Sequence, residues 1–203
     1  MTGWSTHKGI MLALPLDNID TDQLIPARFM SVPRAEGYGD YLLHDLRFDA
    51  EGRAIANMPL NRFPGASILV TGRNFGCGSS REAAVYALVD AGFRAVIAPG
   101  FGDIFAGNAV NSGLLPARVT PEAAETLVAT LAGESHPAQI SLEASEITLG
   151  TARIAFDLET VWRTKLINGW DDIDLTFTET NRIAAFSAQR RNNAPWAWPD
   201  ISD

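Results

Sequence analysis

Apolar and polar positions alternate along this chain in short blocks, and the period of each block predicts an element. Gly9 to Leu16 alternates weakly and reads as an opening strand that ends at the acidic turn Asp17 to Asp22. Ala66 to Thr71 is a continuous β-branched apolar run, the pattern of a buried strand, and the glycine-rich Gly72 to Gly78 follows it directly. Ser79 to Gly92 then reads as a helix, with Ala84, Leu88 and Ala91 on one stripe and Gly92 as its stop. Arg94 to Ala98 gives a second buried strand, Phe101 to Asn111 a helix, and Leu114 to Val119 a third strand. Strand, helix, strand, helix, strand in close succession predicts parallel βαβ units with helices packed on the sheet.

Beyond this centre the signals change. Thr120 is a good N-cap, Pro121 suits the first helical position, and Gly133 closes that helix. Ile140 to Leu142, Ile147 to Leu149 and Arg153 to Phe156 read as short antiparallel strands, with turns at Glu143 to Ser145 and at Gly150. Helical stretches follow at Leu158 to Ile167 and Glu179 to Arg190, and the chain ends in a proline- and tryptophan-rich tail that must dock on something. Between the first two strands, Ser31 to Pro64 is rich in Gly, Pro, Arg and aromatics without a period, a long loop of the kind that is usually functional or mobile. There is no internal repeat. The expectation is an α/β fold in one domain over 1–203, with a C-terminal helical extension at about 158–203.

Composition narrows the function. The chain has 203 residues, 46% of them hydrophobic and 20% charged, the balance of a soluble globular protein able to build its own core. A net charge of −8 gives no support for nucleic-acid binding. No stretch approaches the ~20 apolar residues of a membrane span, and no partner membrane is expected. Cys77 is the only cysteine, so neither an internal disulfide nor a four-thiolate cluster can form from this chain alone. The single cysteine and the lack of an apolar leader in MTGWSTHKG lead to the expectation of a cytoplasmic protein.

Three features are candidates for chemistry. Gly72 to Glu82 (GRNFGCGSSRE) lies between a strand and a helix, where unpaired N–H groups and the helix dipole favour an anion. Ser79 and Ser80 place two hydroxyls there, and Arg81 adds a guanidinium suited to a carboxylate. The segment is neither a Rossmann fingerprint, a P-loop nor a nucleophile elbow. Two readings stand side by side: an anionic, carboxylate-binding site with an activatable serine, or a plain N-cap at Ser79 with Arg81 paired to a surface acid. The second feature is Asp17, Asp20 and Asp22, either a cation site or a solvated turn; the spacing is not that of an EF-hand. The third is Cys77, which has no histidine nearby in sequence and reads as a small loop cysteine rather than a nucleophile.

With these segments goes a resemblance. DNIDTDQLIPARF (Asp17 to Phe29), GRNFGCGSSRE and APGFGDIFAGNAVNSGLLP (Ala98 to Pro116), in this order and over nearly the whole chain, resemble the small-subunit family of 3-isopropylmalate dehydratases. That family corresponds to the swivelling domain of the aconitase superfamily, and the C-terminal extension is that of its longer bacterial form. The resemblance implies a three-layer β/β/α swivelling fold with a parallel core and added antiparallel strands. It implies a dehydration and rehydration that interconverts 2- and 3-isopropylmalate in leucine biosynthesis. It also implies a heterodimer or larger assembly with a large subunit that carries a 4Fe-4S cluster, this chain binding no cofactor itself, and a small dicarboxylate hydroxy-acid substrate.

The same resemblance implies residue roles. Ser79 matches the serine whose alkoxide takes a proton from the carbon beside a carboxylate, and Asp22 matches an aspartate that lines the active site. Ser80 and Arg81 match its substrate-binding neighbours, and Arg28 or Arg34 matches a further carboxylate contact. Val32, Tyr38, Tyr41 and Leu42 either recognise the isopropyl group or simply pack their loop. Two positions depart from the family: Ala83 stands where a histidine is usual, and Gly102 where alanine is more often found. These departures leave two rivals, a dehydratase for another substituted malate (citraconate, dimethylmalate or homoaconitate type) and a non-catalytic regulatory subunit.

Overall fold

The computed structural model describes residues 2–198. In chain order its regular elements are β1 (Thr6–Leu14), α1 (Thr21–Leu24), α2 (His44–Arg47), α3 (Pro59–Arg62), β2 (Ile68–Thr71), α4 (Glu82–Asp90), β3 (Ala95–Ala98), α5 (Asp103–Asn111), β4 (Leu115–Arg118), α6 (Pro121–Leu131), β5 (His136–Ser141), β6 (Glu146–Leu149), β7 (Ala152–Ala155), α7 (Thr160–Asn168), α8 (Asp172–Phe177) and α9 (Thr180–Asn193). The strands form one seven-stranded sheet in the order β4-β3-β2-β1-β5-β6-β7. β1 to β4 are mutually parallel, and β5, β6 and β7 continue the sheet antiparallel. β1 joins the two parts: Met11 to Leu14 pair with β2, and Thr6 to Met11 pair with β5. The α/β class, the parallel core and the added antiparallel strands therefore match the expectation.

The two sheet faces follow the period of two along each strand. Leu12, Leu14, Leu69 and Val96 face a core closed by α1, α4, α5 and the chain between β1 and β2. Met11, Ala13, Ile68, Val70, Ile97 and Leu115 face a second core shared with α6, α7 and the antiparallel strands. Because β2 and β3 are buried on both faces, they read as continuous apolar runs. α6 starts where its cap predicts: the Thr120 side chain accepts the Ala123 N–H at 3.2 Å, and Pro121 follows.

Several boundaries differ from the sequence reading, each for a physical reason. The helix after β2 begins at Glu82, and Arg81 is its extended N-cap, so Ser79 does not cap it. The carbonyl that a capping Ser79 would offer to the helix instead accepts a hydrogen bond from Thr21 Oγ1 at 3.0 Å. The segment Ser31 to Pro64 is not plain loop but holds α2, α3 and short 3₁₀ turns, packed through Tyr38, Leu42, Leu43 and Leu60. One helix more than expected, α8, stands in the C-terminal part, because Asp171 opens it with its own capping box. Lys165 on α7, almost fully buried, bonds Asn111 and Asp172 (2.7 Å), tying α5, α7 and α8 together. α8 and α9 contribute no buried residues. Of the tail, the described part ends at Trp198, and the expectation of docking falls partly on residues outside those described.

Candidate active site

The carboxyl ends of three adjacent parallel strands carry the site, the place where open α/β sheets hold ligands. The turn after β1 supplies Asp17 to Asp22, the loop after β2 supplies Gly72 to Arg81, and the turn after β3 supplies Pro99 to Gly102. Backbone hydrogen bonds lace them together. Asn18 N–H donates to Arg73 O (2.9 Å), Gly76 N–H to Ile19 O (2.7 Å) and Thr21 N–H to Cys77 O (2.9 Å). On the other side Phe75 N–H donates to Gly100 O (3.0 Å) and Gly102 N–H to Phe75 O (2.9 Å). Phe75, fully buried, pins the loop edge-on against Phe101 and Phe105.

Glycine is required at two points of this lacing. Gly76 has φ +70°, and a Cβ there would sit 2.2 Å from the Phe105 ring. A Cβ on Gly102 would sit 2.5 Å from Gly76 O, so an alanine there does not fit this loop as it stands. Cys77 is a partly buried free thiol whose backbone carbonyl anchors Thr21, the bland role its sequence context suggested.

The three carboxylates of the first turn do not gather on a cation, nor are they merely solvated. Asp17 accepts the Arg73 N–H at 3.0 Å and pairs with Arg73 Nε at 2.9 Å. Asp20 caps α1, accepting the Gln23 N–H at 2.7 Å, while the Gln23 side chain accepts the Asp20 N–H at 2.9 Å. Asp22 receives the Arg81 guanidinium.

Asp22, Ser79, Ser80 and Arg81 are thus brought to one place. Arg81 is mostly shielded, with 21% of its side chain exposed, and Asp22 and both serines are open to solvent. Among the described residues, neither serine hydroxyl has a hydrogen-bond partner. Of the two readings of Arg81, pairing with an acid is the one seen, but that acid is itself a candidate site residue.

Arg28 and Arg34, the other two candidate carboxylate contacts, each have partners outside the loop after β2. Arg28 is held by Asp45, with His44 beside it and the Phe29 ring 4.5 Å from the guanidinium carbon. The Arg28 guanidinium in turn holds the Asp45 carboxyl down at about 2. The Arg34 guanidinium carbon sits 3.4 Å from the centre of the Tyr86 ring, and the group reaches Asp90 at 3.5 Å, both partners on α4. Tyr38 and Leu42 are buried in the core, and the Tyr38 hydroxyl donates to Val32 O, so for these two the packing reading holds. Val32 and Tyr41 are only partly buried, Tyr41 stacking on Phe29 at 4.3 Å. Ala83, at the second position of α4, packs against the same core. The sequence reading missed Thr21, whose only signal was its place between Asp20 and Asp22.

Comparison with known proteins agrees with this architecture. Residues 1–122 match the Aconitase C-terminal domain family. The 3-isopropylmalate dehydratase small subunit of Shouchella clausii is 43% identical over 182 residues, 89% of this chain and 92% of the relative. That of Christiangramia forsetii is 43% identical over 196 residues, 94% of this chain and 95% of the relative. The crystal structure of 3-isopropylmalate dehydratase from Methanocaldococcus jannaschii is similar with a TM-score of 0.65 at 25% identity, covering 89% of this chain and 98% of that one. Family profile, relatives and strand-end site agree: the chain belongs to the aconitase C-terminal domain family, among the 3-isopropylmalate dehydratase small subunits.

Proposed function

We infer that this chain is the small subunit of a hydro-lyase that interconverts 2-isopropylmalate and 3-isopropylmalate in leucine biosynthesis. The observation that carries the reading is the free, exposed Ser79 hydroxyl on a loop that also presents Arg81 and is fixed at three strand ends. The relatives bear the isopropylmalate name, so the other alkyl-malates and the non-catalytic reading are set aside.

Dehydration takes a proton from the carbon beside a carboxylate and hydroxide from its neighbour. Ser79, as alkoxide, takes the proton: its O–H bond forms as the C–H bond breaks, and that electron pair becomes the double bond as the C–O bond breaks. The departing hydroxide would be taken up by the Lewis acidity that the cluster on the large subunit would supply. Rehydration runs the same steps backwards with the two carbons exchanged. A serine alkoxide needs fixed positive charge, which Arg81 and the unpaired N–H groups opening α4 supply. Asp22 keeps Arg81 oriented until a substrate carboxylate takes up its paired N–H groups, and Ser80 offers a second hydroxyl beside it.

The aconitase family suggests a 4Fe-4S cluster on a large subunit, and the small-subunit relatives imply that partner. One cysteine cannot ligate such a cluster, and among the described residues no three metal-binding side chains gather. The residues here do not fit the group, and this chain's share of the reaction is carried by Ser79, Ser80, Arg81 and Asp22. No helix among the described residues is long and apolar enough to cross a membrane.

The test is anaerobic reconstitution with the large subunit, following the ultraviolet absorbance of the unsaturated intermediate from 3-isopropylmalate. Ser79→Ala is expected to lower turnover by about 10²–10⁴-fold while the two chains still associate. Wild-type turnover by that variant would remove Ser79 as the base. A formed complex that ignores 3-isopropylmalate would remove the substrate assignment.

A further inference from the structure

Thr21 is one of three buried polar or charged residues in the described chain, at 2% exposure. A buried threonine at the start of a helix ordinarily caps it or bonds back along it. Here neither applies. Asp20 already caps α1 through its box with Gln23, and the Thr21 hydroxyl leaves the helix to donate to Ser79 O, 58 residues away, at 3.0 Å. The Thr21 N–H donates to Cys77 O at 2.9 Å. One residue therefore grips the serine loop at both ends of the Cys77 to Ser79 stretch, and its neighbour Asp22 grips Arg81.

The consequence lies in the peptide joining Ser79 to Ser80. No peptide bond in the described chain is cis, so the Ser80 N–H points opposite to the Ser79 carbonyl. Thr21 is buried and both serines are exposed, so the carbonyl is drawn inward and the N–H is turned to the open face. Among the described residues that N–H has no partner. Gly78, with φ +94°, leaves the loop free to swivel unless something fixes it. We propose that Thr21 is a positioning residue for the reaction: its hydroxyl fixes the Ser79–Ser80 peptide, so that the Ser79 hydroxyl and the Ser80 N–H face one substrate together.

This rests on the reading of Ser79 as the base, and the experiment separates the two. In the reconstituted enzyme, Thr21→Val keeps the shape and removes the hydroxyl, whereas Thr21→Ser keeps the hydroxyl and removes the methyl. Misplacing a reacting group by about 1 Å costs on the order of 10²-fold. The expected result is a kcat loss of about 10- to 100-fold for Thr21→Val with association to the large subunit unchanged, and kcat within about threefold of wild type for Thr21→Ser. Wild-type kcat in Thr21→Val, beside an inactive Ser79→Ala, overturns the positioning role and leaves the base intact. An active Ser79→Ala overturns the base, and the positioning role with it. If Thr21→Val does not fold, Thr21→Ser decides: a tenfold loss with the hydroxyl present shows that packing, not the hydrogen bond, is what matters.

Discussion

The loop after β2 and the long connection between β1 and β2 both offer arginines and polar groups to solvent, yet they treat them in opposite ways. In the loop, backbone groups carry the structure: carbonyls and N–H groups of Phe75, Gly76, Cys77 and Ser79 bond to neighbouring turns, leaving the serine hydroxyls free. In the connection, side chains carry the structure. Arg28 is held by Asp45, Arg34 by Tyr86 and Asp90, Arg47 by Asn61 and Leu42 O, and the Tyr38 hydroxyl by Val32 O. A side chain that holds a fold together is not at liberty to meet a substrate; Arg81 is paired as well, but with Asp22, itself a candidate residue of the site. The difference predicts where equal substitutions have unequal effects.

The largest contrast is expected among the arginines. Arg81→Lys keeps the charge but loses the two-pronged fit to a carboxylate, and turnover of the reconstituted enzyme should fall by about 10²–10³-fold. Arg34→Lys loses only a contact with Tyr86 and a long ion pair to Asp90, and turnover should stay within about threefold. Steady-state assays of the two variants side by side check this. Equal losses would mean that the connection reaches the substrate after all.

Next comes Gly102→Ala, which carries strain from one region into the other's neighbourhood. The new methyl meets Gly76 O at 2.5 Å and Cys77 Cα at 3.3 Å, so the loop after β2 must move outward. Overpacking of this kind costs about 1–3 kcal/mol. In a chain of this size that lowers Tm by roughly 2–4 °C per kcal/mol. Calorimetry gives the stability loss, and a parallel fall in kcat is expected because the shift displaces Ser79. An unchanged Tm would show that the lacing between the β2 and β3 turns is slack.

This contrast also explains what could be read beforehand. β2, β3 and α6 were legible because burial on both faces, or a Thr-Pro cap, leaves a local imprint. Ser79, Ser80 and Arg81 stand out as candidates because one strand-to-helix turn confines them within three residues, whereas Asp22 enters only through the resemblance, since its meeting with Arg81 spans 59 residues. The start of α4 was not legible at Ser79, because Arg81 takes the N-cap place and the Ser79 carbonyl is bonded to the Thr21 hydroxyl, 58 residues earlier. The partners of Arg34 were not legible for the same reason, since Tyr86 and Asp90 come from an element that lies 52 and 56 residues on and is brought close only by the fold. Local periodicity carries no information about either.

The smallest expected effect is the pH dependence of the Arg28–Asp45 pair. Its guanidinium holds the Asp45 carboxyl at about 2, below its ordinary 3.8, with His44 adding to the effect. A carboxyl depressed in the folded state stabilises the fold above its unfolded value, and that contribution disappears as pH falls through the folded one. Wild type should therefore exceed Asp45→Asn in Tm by a constant margin from pH 7 to about 4, with the margin closing toward pH 2. Both side chains are more than half exposed, so the margin is small and shrinks further in salt. A margin that persisted below pH 2 would show that Asp45 acts through packing rather than charge. The connection would then be held by shape alone, and its arginines would be freer to turn toward a ligand than their present partners imply.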